Sequence, residues 1–422
     1  MQNAISSNPR AIWLDRHRLS RIADGLVVAI AVSLPWSTSA TGILVVLWLL
    51  SLLPTCEPSK IRRELATPAG ALPVLLVALG IVGMLWADVG LVERFKGLDP
   101  FFKLLAIPLL LVQFRRTDRG LWVFGGYLAG CTALLLLSAI IYAWPALWWV
   151  PAPDYGVPVK NAANQSGEFV TCIFGLIFLA YEAVTRRQWL WLLGFLAVIM
   201  GMLANIFFVA TGRTALVVIL FLLPLFAIKM LNQRGIFILF ASAIAIAAVA
   251  WFSSPYLRAR TEQIWTDYRG YEASGARNSS GERVEFARKS LEFIREAPII
   301  GHGTGSIHSL FIKAAIGQIG AAATATTNPH NQTFTVAIQL GFVGAAVLWA
   351  MWIAHLLLFR GSGLAEWIGL VIVVQNIVGS LFNSHLFDFV QGWVYVFGVG
   401  VAGGMALKHR FAEKSDVSAR PP

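Results

Sequence analysis

Residues 189–208 read WLWLLGFLAVIMGMLANIFF, a run of twenty positions without a charged side chain. A helix of about twenty residues crosses the roughly 30 Å hydrocarbon core of a bilayer. Apolar runs of roughly 17 to 25 residues recur along the chain, in which 57% of the 422 residues are hydrophobic and 13% are charged. The alternating pattern of a membrane barrel is absent, so backbone polar groups in lipid must bond within helices. The sequence therefore predicts an all-α polytopic membrane protein and excludes a soluble fold.

Twelve of these runs are predicted to span the membrane, as one membrane domain over residues 1–422. The predicted spans cover residues 22–38, 40–54, 70–87, 101–114, 120–144, 167–184, 189–208, 214–230, 236–252, 333–358, 363–382 and 390–407. No small-residue cleavage site follows the first run, so we expect no removable signal peptide. No internal repeat is evident, which argues against the paired halves of many secondary transporters.

Lysine and arginine are distributed unevenly between the two sets of connections. The tails and the even-numbered connections hold 19 of them, namely Arg10, Arg16, Arg18, Arg21, Lys60, Arg62, Arg63, Arg115, Arg116, Arg119, Arg186, Arg187, Lys229, Arg234, Arg360, Lys408, Arg410, Lys414 and Arg420. The opposite loops and their rims hold 5, namely Arg94, Lys96, Lys103, Lys160 and Arg213. The positive-inside rule then predicts cytoplasmic termini in a bacterial inner membrane. This topology also accounts for most of the net charge of +11, which does not indicate nucleic-acid binding.

One connection, residues 253–332, is far longer than the others and lies on the predicted periplasmic side between spans nine and ten. A segment of this length is more than a link between helices. Chemistry that needs water and polar groups is usually built on such loops. We therefore expect this loop to carry part of an active site.

Within the long loop, Ser279 to Ala297 is predicted to be a helix, because Ser279 and Glu282 fit a capping box and Pro298 supplies a stop. A helical register puts Arg283 on the apolar, buried face. The residues predicted to share that face are Phe286, Ala287, Ser290, Leu291 and Ile294, and those predicted to lie opposite are Glu285, Arg288, Lys289, Glu292, Arg295 and Glu296. An inward guanidinium needs a partner, which is either a structural ion pair or a bound anion.

The rest of the loop contains a glycine-rich turn and three histidines. The turn at 301–306 has glycine amides that suit a phosphate, but no nucleotide-binding fingerprint surrounds it, and a plain turn is favoured for it and for His302 and His308. His330 precedes Asn331, a predicted N-cap of the tenth span. The positive end of a helix dipole favours a neutral imidazole, so His330 is either a boundary residue or a proton acceptor.

Three further charged residues lie near the predicted outer face. Arg213 opens the eighth span, where interface anchoring is the common role of an arginine. Asp388 lies in the short outer loop before the last span, as a solvated carboxylate or a site residue. Lys103, just inside the fourth span, either snorkels to the rim or adds a cation to a site.

No metal or other cofactor is predicted. Cys56, Cys131 and Cys172 lie in or beside apolar runs without metal-ligand spacing, so we interpret them as packing residues. The chain contains no Asp-x-Asp motif and no carboxylate cluster near the outer face that suits a divalent ion. This argues against the metal-dependent oligosaccharyltransferases.

Taken in order, several short motifs resemble those of the O-antigen ligase and polymerase superfamily. They are Gly212-Arg213 at an outer-rim helix, Gly281-Glu282-Arg283, the run APIIGHG at 297–303, His330-Asn331 and the run LGFVG at 340–344. The resemblance covers roughly residues 200–345, and the topology extends it over the chain.

The resemblance implies a donor glycan on undecaprenyl diphosphate and, for ligases, a lipid A core acceptor. It implies that Arg213 and Arg283 hold the diphosphate and that His330 acts on the acceptor hydroxyl. The family usually has tryptophan three residues after the second arginine, where this chain has Phe286. Asp388 resembles a late outer-loop aspartate of family ligases. Asp388 and Lys103 are therefore additional candidates for binding diphosphate or acceptor, as is Arg288, although the register favours a surface charge there.

The chemistry agrees with this interpretation. Nucleotide sugars are not expected outside the inner membrane, so transfer there must use an activated lipid carrier whose diphosphate leaving group two arginines would stabilise. Direct attack by an acceptor hydroxyl, with a histidine base and no carboxylate nucleophile, would invert the anomeric centre. O-antigen polymerase and protein O-oligosaccharyltransferase remain alternatives, and a lipid flippase or transporter is the alternative from another class.

Overall fold

The computed structural model describes residues 16–147 and 156–418, with side chains described as far as Phe411. All regular secondary structure in these ranges is helical, without any strand, which confirms the predicted all-α class. Arg10, Arg420 and the side chain of Lys414, which contributed to the predicted cytoplasmic charge, lie outside the described part of the chain.

The helices are named here in chain order. Their bounds are α1 (Arg16–Ser33), α2 (Thr38–Leu52), α3 (Pro58–Leu65), α4 (Pro68–Gly83), α5 (Leu91–Phe102), α6 (Ala106–Phe114), α7 (Gly120–Ala143), α8 (Ala162–Thr185), α9 (Trp189–Phe208), α10 (Arg213–Met230), α11 (Gln233–Ser253), α12 (Pro255–Ser274), α13 (Ser279–Glu296), α14 (Ile307–Ala315), α15 (Gln332–Leu358), α16 (Leu364–Gly379) and α17 (Phe389–Ser418).

Nine helical segments among the described residues are long and apolar enough to cross a membrane, compared with twelve predicted spans. A tenth results if α3 and α4, which meet at a bend of 89°, form one span. The first and eleventh predicted spans fall short because α1 begins with Arg16, Arg18 and Arg21, and α16 has only 16 residues. The fourth is longer than predicted because α5 and α6 continue through a 3₁₀ turn. The chain is a multi-pass membrane protein.

The contacts between segments separate the bundle into two ends. Segments predicted to be cytoplasmic meet at one end, through the pairs Lys408–Asp118, Arg115–Glu64, Lys229–Phe359 and Arg410–Leu358. Segments predicted to lie outside meet at the other end, through the pairs Thr304–Gly80, Trp86–Gly301, Arg213–Gln263 and His330–Asn383. The grouping agrees with the predicted alternation of loops, and the second end is called the loop end below.

The long loop is folded into helices that pack on the loop end. Helices α12, α13 and α14 lie within residues 253–332. Phe286, Phe293 and Phe311 from α13 and α14 form a small apolar core with Ile307 and with Ile338 of α15. Burial of these side chains from water fixes the loop against a spanning helix.

The tenth predicted span is broken at Gly341, which has φ 63° and ψ −161°. A side chain there would lie about 2.2 Å from the carbonyl oxygen of Ile299, so only glycine fits this approach. The loop satisfies the backbone groups that the break exposes: the amides of Phe342 and Val343 bond to the carbonyls of Pro298 and Ile299, and those of His302 and Gly303 to the carbonyls of Ile338 and Gln339. The motifs 297–303 and 340–344 therefore interlock, which holds α13 and α15 in register.

Candidate active site

His330 lies at the junction of the long loop and α15. Asn331 caps the helix, accepting a hydrogen bond from the amide of Phe334 at 3.1 Å, which confirms the predicted N-cap. The backbone of His330 is left-handed, with φ 56°. Histidine tolerates this region better than most residues do, but a β-branched or bulky residue there would be strained. The side chain of Asn328 accepts the amide of His330 at 2.9 Å and holds this turn.

An asparagine fixes the ring of His330. The Nδ1 atom lies 3.0 Å from Oδ1 of Asn383, and the same oxygen accepts a hydrogen bond from Nδ2 of Asn328 at 2.9 Å. Since this amide oxygen is an acceptor, Nδ1 of His330 carries the proton and donates it. The Nε2 atom is then an unprotonated acceptor, which is the form that a general base requires.

Phe286 packs against the face of the His330 ring. Its side chain is buried and stacks on His330 with centroids 5.9 Å apart and an angle of 18° between the planes. Phe286 is also the aromatic three residues after Arg283, at the position where the resembled family usually has tryptophan. An aromatic ring is therefore retained at this position, with its face against the imidazole.

The predicted register of α13 is wrong by part of a turn. The buried face is centred on Phe286, Ser290 and Phe293, and Glu285 and Lys289 are also buried on α13, although both were predicted to lie on the opposite, polar side. Arg283 is exposed at the edge of this face. Glu285 is buried because Tyr271 and Arg288 bond to it at 2.7 and 2.8 Å, and Lys289 because its amine bonds to the carbonyl of Ala322. Asn278, one residue before the predicted cap, caps the helix.

Arg283 has no anionic partner among the described side chains, since it makes neither a hydrogen bond nor an ion pair with them. The protein around it desolvates the guanidinium in part, and repulsion from Arg213 adds to this effect, so the pKa of Arg283 lies below its ordinary value. The nearest carboxylate on its helix, that of Glu282, is held by Arg277 at 3.0 Å and by Thr324 at 3.1 Å. A cation kept without compensation in this way favours a bound anion.

Arg213 begins α10 at the loop end and extends toward α12. Its guanidinium donates one hydrogen bond, of 3.3 Å, to Oε1 of Gln263. On α12, Asp267 attracts the guanidinium and Arg260 repels it. Arg213 forms no direct ion pair within the described residues. Arg213 and Arg283 are close enough to repel each other, although they are 70 residues apart in sequence.

His330 belongs to the same electrostatic group. Burial lowers the pKa of its imidazole below 6.5, and the nearby Arg283 lowers it further, although Asn383 and Glu282 oppose the shift. The neutral imidazole is therefore the dominant form near pH 7. The structure thus brings Arg213, Arg283 and His330 together at the loop end, as two cations beside a neutral base.

The three additional candidates have other partners. Arg288 forms ion pairs with Glu285 at 2.8 Å and Glu292 at 2.7 Å on its own helix, so its charge is already compensated. The amine of Lys103 donates to the backbone carbonyls of Phe387 and Asp388, at 3.2 and 2.8 Å. The carboxylate of Asp388 caps α17, accepting from the amides of Val390 and Gln391. Lys103 and Asp388 therefore brace the loop that also carries Asn383.

The glycine turn at 301–306 packs as a plain turn. The amides of His302, Gly303, Thr304 and Gly305 all donate to protein acceptors, so none of these four is free for a phosphate. A side chain on Gly303 would lie about 2.5 Å from the backbone of Ala87, which explains the glycine at this close approach.

Sequence reasoning missed the residues that support His330. Asn383 and Ser384 lie more than fifty residues after the histidine, and Ser384 donates to Oδ1 of Asn328 at 2.7 Å. Asn328 lies only two residues before His330, so the sequence itself places it near the histidine. The sequence signal for Asn383 and Ser384 is the polar run Asn383-Ser384-His385, which lies between two apolar spans in the same short outer loop as Asp388.

The structure is that of a multi-pass membrane protein whose three candidate residues lie together at the loop end. A family model described as O-antigen ligase (Wzy_C) matches residues 197–349. Over these residues the chain carries an O-antigen ligase family region, which confirms the resemblance and supports an O-antigen ligase or polymerase type of function. The match includes Arg213, Arg283 and His330 and ends before Asn383. No sequence match was found among curated proteins.

Proposed function

We propose that the protein is an O-antigen ligase of a bacterial inner membrane, which transfers a glycan from undecaprenyl diphosphate to a sugar hydroxyl of lipid A core in lipopolysaccharide biosynthesis. The observation that carries this proposal is the juxtaposition of Arg213 and Arg283, neither of which forms an ion pair with a described carboxylate, with a neutral His330. The family match over the same residues supports it.

The proposed reaction is a single displacement. Nε2 of His330 accepts the proton of the acceptor hydroxyl while the hydroxyl oxygen bonds to the anomeric carbon. The bond from that carbon to the diphosphate oxygen breaks, and undecaprenyl diphosphate leaves with a charge that Arg213 and Arg283 stabilise. Attack opposite the leaving group inverts the anomeric centre, and no metal takes part.

Transfer in proteoliposomes tests the proposal and separates it from its nearest alternatives. The purified protein receives one lipid-linked glycan, with lipid A core, with a peptide acceptor or with neither. A ligase forms product only with lipid A core. An O-antigen polymerase lengthens the lipid-linked glycan without it, a protein O-oligosaccharyltransferase glycosylates the peptide, and a flippase moves the donor without forming product.

We predict that both termini are cytoplasmic and that residues 253–332 are periplasmic. The reason is the imbalance of lysine and arginine between the two sets of connections, together with their separation to opposite ends of the bundle. A reporter enzyme that is active only in the periplasm should be active when fused after Gly275 and inactive when fused after Asn232. Activity of the Asn232 fusion alone would invert the topology and overturn the site's placement.

We also predict that exhaustive chelation leaves the transfer rate unchanged. Among the described residues, no group of three or more His, Cys, Asp or Glu side chains is placed to hold a metal ion, and the two arginines provide the positive charge instead. Initial rates before and after EDTA treatment test this. A loss of activity that magnesium or manganese restores would contradict the proposed mechanism.

A further inference from the structure

A polar cavity of about 440 Å³ lies at the loop end, beside the support of His330 rather than beside the arginines. Ligand pockets of proteins commonly have roughly this volume. Its walls come from α5, α14, α15, the segment before α15 and the loop before α17. The polar and aromatic residues that matter here are Glu93, Lys96, Asn328, Ser384, Phe387 and Asp388.

The lining suits hydroxyl groups better than phosphate or lipid. The lining contains two carboxylates, those of Glu93 and Asp388, and one lysine, Lys96, so a phosphate would meet net repulsion. Carboxylates accept strong hydrogen bonds from hydroxyl groups, and amine and amide groups donate hydrogen bonds to hydroxyl oxygens. By contrast, the cavity of about 290 Å³ between α1, α7, α8, α16 and α17 is lined almost entirely by apolar side chains.

Groups in this cavity have unused bonding capacity. Glu93 and Lys96 are exposed and make no ion pair with another described residue. Asp388 uses Oδ1 to cap α17, and its Oδ2 makes no hydrogen bond within the described part of the chain. The ring of Phe387 and the side chain of Pro100 add an apolar surface against which the C–H face of a sugar ring would pack.

The cavity is linked to His330 through one side chain. Asn328 lines the cavity, and its Oδ1 accepts both the amide of His330 and the hydroxyl of Ser384. Neither Arg213 nor Arg283 lines the cavity. The cavity therefore adjoins the residues that hold His330 and is separate from the two arginines.

We infer that this cavity is a carbohydrate subsite, in which Glu93 and Asp388 bind sugar hydroxyls of the glycan. The inference rests on the proposed function for the identity of the glycan. The same hydroxyl chemistry is offered by the acceptor core and by the donor glycan, so the experiment uses both.

The test measures binding of two free oligosaccharides, a delipidated core and a donor repeat unit released from its lipid, to the detergent-solubilised full-length protein. Glu93→Gln and Asp388→Asn keep shape, and asparagine keeps the helix cap. Each should weaken binding of at least one oligosaccharide by about tenfold, the usual effect of removing a charged hydrogen-bond partner. Weaker binding of core identifies an acceptor subsite, and weaker binding of the repeat unit identifies a donor subsite.

Asp88→Asn is the matched control, because Asp88 is an exposed carboxylate at the same end that lies outside the cavity and pairs loosely with Lys313 at 3.5 Å. It should bind both oligosaccharides as the wild type does. If the wild type binds neither oligosaccharide, or if both cavity variants bind them normally, the subsite is refuted. Since these measurements need no transfer, an inactive protein that still binds oligosaccharide would refute the proposed function and leave the subsite intact.

Discussion

Replacement of His330 by asparagine should slow glycan transfer by about 10²- to 10⁴-fold, the usual cost of losing a general base. The bonds at its ring explain this expectation, because Asn383 holds the proton on Nδ1 and leaves Nε2 as the acceptor. Asparagine is the informative replacement, since residue 330 has φ 56° and asparagine tolerates the left-handed region, whereas alanine adds strain. Single-turnover rates with saturating donor measure the effect.

The control for this variant is Asn383→Ala, which leaves the imidazole in place but removes its fixed acceptor. We expect a smaller loss than for His330→Asn, because the base remains and only its orientation is released. Thermal unfolding of both variants in detergent shows whether the fold is retained. Near-normal turnover by a folded His330→Asn protein would be incompatible with the proposed role of the imidazole.

Replacement of Arg283 by alanine should reduce transfer by about a hundredfold, the scale expected when a group that stabilises developing charge is removed. Arg283 makes no ion pair with a described side chain, so its charge is available to the diphosphate. Arg213→Ala should have a comparable effect. Arg288→Ala, five residues along the same helix, should be far milder, since Glu285 and Glu292 already neutralise Arg288. If Arg288→Ala abolished transfer and Arg283→Ala did not, Arg288 rather than Arg283 would be the residue that stabilises the diphosphate.

The pH dependence provides a second measurement on the Arg283 variant. Burial and Arg283 both lower the pKa of His330, so the neutral base persists below pH 6.5, and wild-type activity should fall only as the pH drops through that lowered value. Arg283→Gln removes the repulsion and should raise the pKa of His330. The acidic limb of its rate profile should therefore move to higher pH, while that of Arg288→Gln stays in place.

The sequence predicted the helical class and the grouping of loops because both follow from long apolar runs and from the placement of cations. It did not predict the break at Gly341, because that backbone is stabilised by carbonyls and amides of residues 298–303, about forty positions earlier. Among the described residues, nine or ten segments have the length and composition of a span, compared with twelve predicted, because α1 begins with three arginines and α16 has only 16 residues.

The candidate site was predictable in its members but only partly in its geometry. Arg213, Arg283 and His330 came from short motifs, and the structure places them together. The register of α13 failed because the helical pattern treated Glu285 and Lys289 as solvated, whereas Tyr271 and the carbonyl of Ala322 satisfy them in the interior. Asn383 depends on the packing of the loop after α16 against α15, a contact that local sequence does not encode.

The central claim is that His330 moves a proton while the arginines hold the diphosphate. Donor affinity and the single-turnover rate, measured on the same His330→Asn protein, test it most directly. The account predicts that the variant binds the undecaprenyl-diphosphate glycan about as tightly as the wild type and that the bound donor then reacts at least about a hundredfold more slowly. Much weaker donor binding with a near-normal rate at saturation would contradict it and make His330 a diphosphate contact.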